Sequence, residues 1–360
     1  MDMNYLHDQE GLKQSTQKVD EERRAFLTAG LVGGAIAAGT LAAGAAHAQQ
    51  TAAAPAPALS DKPWWPHPKW GKDDQAGASN WITPAKVLDT IKIIKDGKIY
   101  RVGRVYEAAM PKYGQRTFNI RITPVGTAFG TNRLVGHDEF LAAEIGQTGT
   151  QFDGLGHIGI QMGKPGDLAE TRFYNGVTEL EMIDANGLKK LGIENCKPIF
   201  TRGHLFDVEA VKGAPMDVGQ EITVADLRAA MQKQNMKEDD IKEGDALFFN
   251  TGWGKLWLKN NDKYNSGEPG IGLEVAKWVI DKGACMTGAD CWATEVVPNP
   301  NKDLVFAVHS ELITKHGIYN HENLDFTGLI ADGKYQFAYI FSPAPIKGAT
   351  GSNGGPIAVT

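Results

Sequence analysis

Four strand-like runs constrain this chain most: PIFTRGHLFDV at 198–208, ALFFNTGW at 246–253, ACMTGAD at 284–290 and KYQFAYIFS at 334–342. β-Branched and aromatic residues enrich them, and such side chains pack well on a pleated surface. Helical stretches lie between and before them. Thr83-Pro84 supplies an N-cap and a first-turn proline for a helix through KVLDTIKIIKD to Gly97. Thr223 with Asp226 resembles a capping box opening ADLRAAMQKQ, and LEVAKWVIDK at 273–282 stops at Gly283. Strands and helices alternate only in part. The expected fold is therefore α/β, with a mixed β-sheet core and flanking helices.

Hydrophobic residues make up 42% and charged residues 22% of the 360-residue chain, a globular composition. A net charge of −6 leaves no basic footprint, so no nucleic-acid partner is expected. Cys196, Cys285 and Cys291 are too few for a disulfide scaffold. A Cys285–Cys291 bridge is open to the sequence, and buried free thiols are the expected state.

The amino terminus reads E-R-R-A-F-L at 22–27, then an uncharged Ala/Gly-rich stretch ending in Ala46-His47-Ala48. A charged start, a mild apolar stretch and a small-residue cut site describe a secretory signal. The Arg23-Arg24 pair ahead of Phe26-Leu27 resembles the twin-arginine type, which carries folded proteins. The stretch is too rich in Ala and Gly for a stable membrane anchor. Residues 1–48 are thus expected to be a cleaved signal read by the twin-arginine export machinery, giving a periplasmic or secreted protein. Residues 49–69 read as an Ala/Pro-rich linker and extension, and 70–360 as one catalytic domain.

Chemistry concentrates in two places. Residues 147–157 read Q-T-G-T-Q-F-D-G-L-G-H, where Gly149, Gly154 and Gly156 favour strand and tight turn over helix. On a strand, Gln147, Gln151 and Asp153 project to one side, and a turn could bring His157 back towards them. Residues 309–322 hold His309, His316 and His321 with Glu311 and Glu322, a set suited to Zn, Mn or Fe. The chain has no H-E-x-x-H, so a zincin helix is excluded. Spacing alone leaves open that His316 is a helix-terminal cation and Asp153 a turn residue.

These landmarks resemble the cyclase family, which includes bacterial kynurenine formamidase and isatin hydrolase and carries H-x-G-T-H-x-D-x-x-x-H. The matching residues are Gln147, Gly149, Thr150, Gln151, Asp153 and His157. The resemblance implies that positions 147, 151 and 153 are metal ligands and that His157 transfers protons. His309 and Glu322 look like the later pair that completes the metal shell. TRGHLFDV at 201–208, GDALFFNTGW at 244–253, TGADCWATE at 287–295 and SPAPIKGATGS at 342–352 also look like the family. The likeness spans roughly residues 70–358. It implies the swivelling β/β/α fold, a divalent Mn or Zn ion, a small-molecule substrate and a homo-oligomer.

The departure is equally specific, because both early histidines are glutamine here. A glutamine carbonyl ligates neutrally and suits harder metals. The paired replacement, with Asp153, His157, His309 and Glu322 retained, looks like a glutamine-type branch of the family. The resemblance implies a metal-dependent hydrolase of an amide-type C–N bond, arylformamidase-like or acting on a cyclic amide. Alternatives are a periplasmic binding protein on the same fold, or a lyase or dehydratase with His157 as base. Asp290 and Glu295 are candidates for orienting a ligand, with ordinary loop carboxylates as the other reading. Trp64, Trp65, Trp70, Trp81, Trp253 and Trp257 are candidates for pocket walls or core packing.

Overall fold

The computed structural model describes residues 63–124, 126–164 and 166–360. The expected signal segment, residues 1–48, and most of the expected linker lie outside the described residues. From residue 63 the expected linker is packed on the domain: Trp64 Nε1 donates to the Phe173 carbonyl at 3.3 Å. The His67 amide likewise donates to Asn175 Oδ1 at 2.8 Å. No helix among the described residues is long and apolar enough to cross a membrane.

The expected mixed sheet is the centre of the domain, with nine strands among the described residues. Ile199–Asp207, Ala246–Asn250, Met286–Ala289 and Tyr319–Glu322 run parallel, side by side in that order. Beyond Tyr319–Glu322, the strands Gln151–Asp153 and then Gly351–Asn353 pair antiparallel. On the other flank Gln336–Phe341, Ile357–Val359 and Ile99–Arg101 follow, also antiparallel. The parallel strands are covered on both faces, which explains why ALFFN reads as a continuous apolar run and not an alternating one. All four strand-like runs of the sequence form strands here.

Local chemistry sets the helices as expected. Thr83 caps Pro84–Ile91 by accepting from the Lys86 amide, and Thr223 and Asp226 make a reciprocal capping box on Val224–Lys233. The first helix stops at Ile91, five residues before the sequence suggested. The chain must turn there, because Ile99–Arg101 pairs with the carboxyl-terminal Ile357–Val359. Helix Leu273–Asp281 packs Leu273, Val275, Ala276, Trp278 and Val279 inward. Cys196, Cys285 and Cys291 are buried free thiols, as expected.

A hairpin, Phe118–Pro124 with His137–Ala143, leaves the body just before the sheet strand that carries the site. It exposes Ile120, Ile122 and Phe140. Its base is tied by the Thr117 hydroxyl donating to Glu144 Oε2 at 3.1 Å. Residues 111–113 and Arg116 on one side of this hairpin, and 147–149 on the other, line one pocket.

Candidate metal centre and its pocket

Register builds the centre. Gln151–Asp153 pairs antiparallel with Tyr319–Glu322 so that Gln151 faces Glu322 and Asp153 faces Asn320. Directly paired residues project to the same side, so these four polar side chains share one face. Phe152 and His321 take the opposite face. There the His321 ring lies 5.3 Å from Phe152 and 4.5 Å from Phe341. Tyr339 donates its hydroxyl to His321 Nδ1 at 2.6 Å. Burial pushes this imidazole down to about 3, so it is a neutral core residue and not a ligand. His316 and Glu311 also stay outside the centre, 3.6 Å from one another on and after the π-helical turn Ser310–Lys315.

The sequence reading extended the strand back to Gln147. The strand is only three residues long, and Gln147 arrives through a bend that Gly149 makes possible at φ +65°. A Cβ on Gly149 would sit 2.5 Å from the Tyr106 ring. Gly149→Ala therefore combines left-handed strain with a clash, and we expect a loss of about 2–4 kcal/mol. Equilibrium urea unfolding of the variant measures it; an unchanged midpoint would contradict the account.

His309, at the end of helix Ala307–His309, closes the centre from above the sheet. Its Nε2 lies 3.2 Å from Glu322 Oε1 and 3.5 Å from Asp153 Oδ2. Its Nδ1 donates to Glu295 Oε1 at 2.5 Å, and Glu295 also accepts the Val308 and His309 amides at 3.1 and 2.9 Å. Glu295 thus fixes both the backbone and the ring of His309. Asp290 does not orient a ligand: its carboxylate is taken by the Thr251 amide and hydroxyl and the Gly254 amide. It organises the loop after ALFFN instead.

Both glutamines enter the centre as donors. Gln151 Nε2 donates to Glu322 Oε2, and Gln147 Nε2 donates to Asp153 Oδ1 at 3.1 Å. Asn320, absent from the sequence reading, bridges the two acids: its Nδ2 donates to Glu322 Oε1 at 2.8 Å and Asp153 Oδ2 at 3.3 Å. His157 stands at the edge, with Nε2 3.8 Å from Asp153 Oδ1 and Nδ1 3.4 Å from Gln147 Nε2.

Electrostatics separate these groups. Burial pushes the Asp153 carboxyl up, but the imidazoles of His157 and His309 with the Gln147 amide more than reverse this, to about 2. Glu322 is pushed up to about 8 by burial and by the Asp153 charge. Burial works to lower His309, yet its bonds to Asp153, Glu295 and Glu322 raise it well above the ordinary imidazole value. His157 is lowered, burial outweighing the pull of Asp153. A buried set of acids is thus compensated by a proton on His309, a position where a cation is called for.

The donor chemistry fits a divalent ion. One oxygen each of Asp153 and Glu322 and one nitrogen of His309 lie within 4.8 Å of one another, all buried. The second nitrogen of His309 on Glu295 is the arrangement that orients metal-binding imidazoles. Gln147 and Gln151 would have to present Oε1 in place of Nε2 to join them. Because Glu295 would act on a bound metal only through His309, Glu295→Gln is expected to weaken divalent-metal affinity by about 10–100-fold. Competition with a chromophoric chelator measures this, and unchanged affinity would remove Glu295 from the centre.

Above the centre lies a cavity of about 150 Å³, reached by Gln147, Gln151, His157, His309 and Glu322. Its upper walls are Tyr113, Arg116, Tyr264, Trp292 and Phe306. Tyr113 stacks on Trp292 with ring centroids 4.4 Å apart. None of the six tryptophans considered from sequence lines this cavity. Trp253 is core, and Trp70 packs edge-on against Trp81. Trp292 sits inside the ADCWATE stretch that drew attention for its acids, so its position was available as a signal. Arg116 and Tyr113 carried none.

Comparison with known proteins agrees with this fold. The Cyclase family model matches residues 100–296. The crystal structure of a novel cyclase is 30% identical, covering 81% of this chain and 96% of that one, with a TM-score of 0.71. Isatin hydrolase A from Ralstonia solanacearum is 16% identical over 72% of this chain and 91% of its own, at a TM-score of 0.51. Isatin hydrolase A from Labrenzia aggregata, bound to benzyl benzoate, is 18% identical over 72% and 93%, also at 0.51. These last two share the fold. No curated protein matches. With the family model spanning more than half of the sequence and a solved cyclase 30% identical along nearly its whole length, the chain belongs to the cyclase family.

Proposed function

We propose that this chain is a metal-dependent hydrolase of an amide-type C–N bond, with an aryl formamide or a cyclic amide as substrate. The observation that carries the reading is the convergence of Asp153, His309 and Glu322 beneath a pocket with His157 at its edge. A divalent ion, Mn or Zn, held by these three residues would supply carbonyl polarisation and a more acidic water. Two solved proteins of the same fold are isatin hydrolases, which agrees with hydrolysis.

The residues divide the remaining work. Asp153 and Glu322 provide the negative charge that holds a cation, and Asn320 keeps the two carboxylates in register. Glu295 fixes the ring of His309. His157 is neutral near pH 7, because burial lowers its pKa. Its Nδ1, which the Gln147 amide occupies only loosely at 3.4 Å, takes the proton from the attacking water and returns it to the leaving nitrogen. Trp292, Tyr113 and Phe306 exclude bulk water from one side of the pocket.

Gln147 and Gln151 make this a glutamine-type variant of the family motif, and export by the twin-arginine route would place the activity outside the cytoplasm. The test is metal analysis of the purified protein, followed by aryl-formamide hydrolysis with and without chelator. Chelator-sensitive hydrolysis supports the reading. Full activity in a metal-free sample, or a non-hydrolytic product, overturns it.

A further inference from the structure

The pocket above the centre has a cationic wall whose two basic side chains make no direct ion pair among the described residues. Arg116 lines it, and Lys112 lines it four residues earlier. Arg116 Nη1 donates to the Tyr113 carbonyl at 3.0 Å, and its guanidinium lies 5.6 Å from the Tyr113 ring. Lys112 Nζ is held by the carbonyls of Ala108 and Met110 at 2.6 and 3.0 Å. Among the described residues neither cation has a carboxylate oxygen within 4.0 Å. Glu144 is the nearby acid, and it is engaged by the backbone amide and hydroxyl of Thr117. Arg116 and Lys112 are both half-buried where they line the cavity.

Two positive groups lining one small cavity repel one another, and an anion between them relieves that repulsion. With a divalent ion on Asp153, His309 and Glu322, the two carboxylates of the floor are neutralised and the wall keeps its positive charge. A neutral substrate offers such a wall only a carbonyl acceptor and no opposite charge. A guanidinium fork, by contrast, matches a carboxylate in shape and charge. Beside it the Tyr113–Trp292 stack, with Phe306 edge-on to Trp292 at 6.4 Å, offers apolar contact for a ring.

We infer that Arg116, supported by Lys112, is an anion subsite, and that the substrate is a small aromatic molecule carrying a carboxylate apart from the bond that is cleaved. This deepens the hydrolase reading and rests on it for the word substrate. The subsite itself can be tested without turnover. Benzoate and benzamide are near-isosteric aromatic probes that differ in charge. Their binding to the purified protein, followed by tryptophan fluorescence quenching at low salt, reads the subsite directly, before and after chelator treatment.

Benzoate is expected to bind about 10-fold more tightly than benzamide in both states, the scale of a hydrogen bond to a charged group. Arg116→Met should erase the preference, while Arg116→Lys should keep part of it. Thermal midpoints of both variants confirm that each is folded, and Arg116→Gln serves if the methionine variant is not. Equal binding of the two probes, or a preference that survives Arg116→Met, overturns the subsite. So does a preference that disappears with chelator, because the metal would then be reading the anion. A retained preference in a protein that hydrolyses neither an aryl formamide nor a cyclic amide would leave the subsite standing and sink the hydrolase.

Discussion

Asp153→Asn is expected to lower divalent-metal affinity by more than about 100-fold, exceeding the 10–100-fold typical of groups one step removed from the ion. The reason is the order in which charges become available. Asp153 is held at about 2, so it is an anion throughout the physiological range. Glu322 is pushed up to about 8 by burial and by Asp153 itself, and His309 carries a proton in the metal-free state. Both must release protons before they can ligate, whereas Asp153 need not. Asparagine has nearly the same volume, and its single oxygen can still accept from one of the Gln147 and Asn320 amides, at the cost of the other bond. The sheet should therefore survive, and circular dichroism should be unchanged while metal is lost. Competition titration against a chromophoric chelator gives the affinity. A folded Asp153→Asn protein that keeps stoichiometric metal at wild-type affinity would exclude Asp153 as a ligand.

The parallel core of the fold was legible because its strands are buried on both faces and so read as unbroken apolar runs such as ALFFN. The helix starts were legible because Thr83 and Thr223 bring their caps with them. Helix ends were less so: the first stops at Ile91 because a distant segment, Ile357–Val359, needs the chain to turn. At the centre, the sequence offered five candidate ligands between 309 and 322 but not their directions. Once 319–322 is a strand, alternation sends His321 into the apolar core and Glu322 to Asp153. Spacing could not decide this, since the same residues on a helix would face differently. Asn320 and Arg116 were invisible for another reason. Their roles depend on partners 167 residues away in one case and on a cavity wall in the other.

The glutamines offer the sharpest contrast with the family pattern, H-x-G-T-H-x-D-x-x-x-H, and they set the last expectation. Gln147→His combined with Gln151→His should raise Zn²⁺ affinity on the order of 100-fold and shift selectivity from Mn²⁺ towards Zn²⁺. In the metal-free protein each glutamine now spends its amide nitrogen on a carboxylate, Gln147 on Asp153 and Gln151 on Glu322. Those hydrogen bonds compensate the acids without any ion, and an incoming cation must displace them. Their only other contribution would be a neutral amide oxygen, a weak ligand for a borderline-soft metal. Imidazole gives the better zinc donor at both positions. The single substitutions should each give a smaller gain, because one remaining amide still donates into the site. Removing both amides also takes away about 1 kcal/mol of hydrogen bonding each, so the metal-free double variant should unfold at lower urea. If the double variant is folded and binds Zn²⁺ no more tightly than the natural chain, the amides are not what sets the metal preference. The determinant would then have to be sought in Glu295 and Asn320.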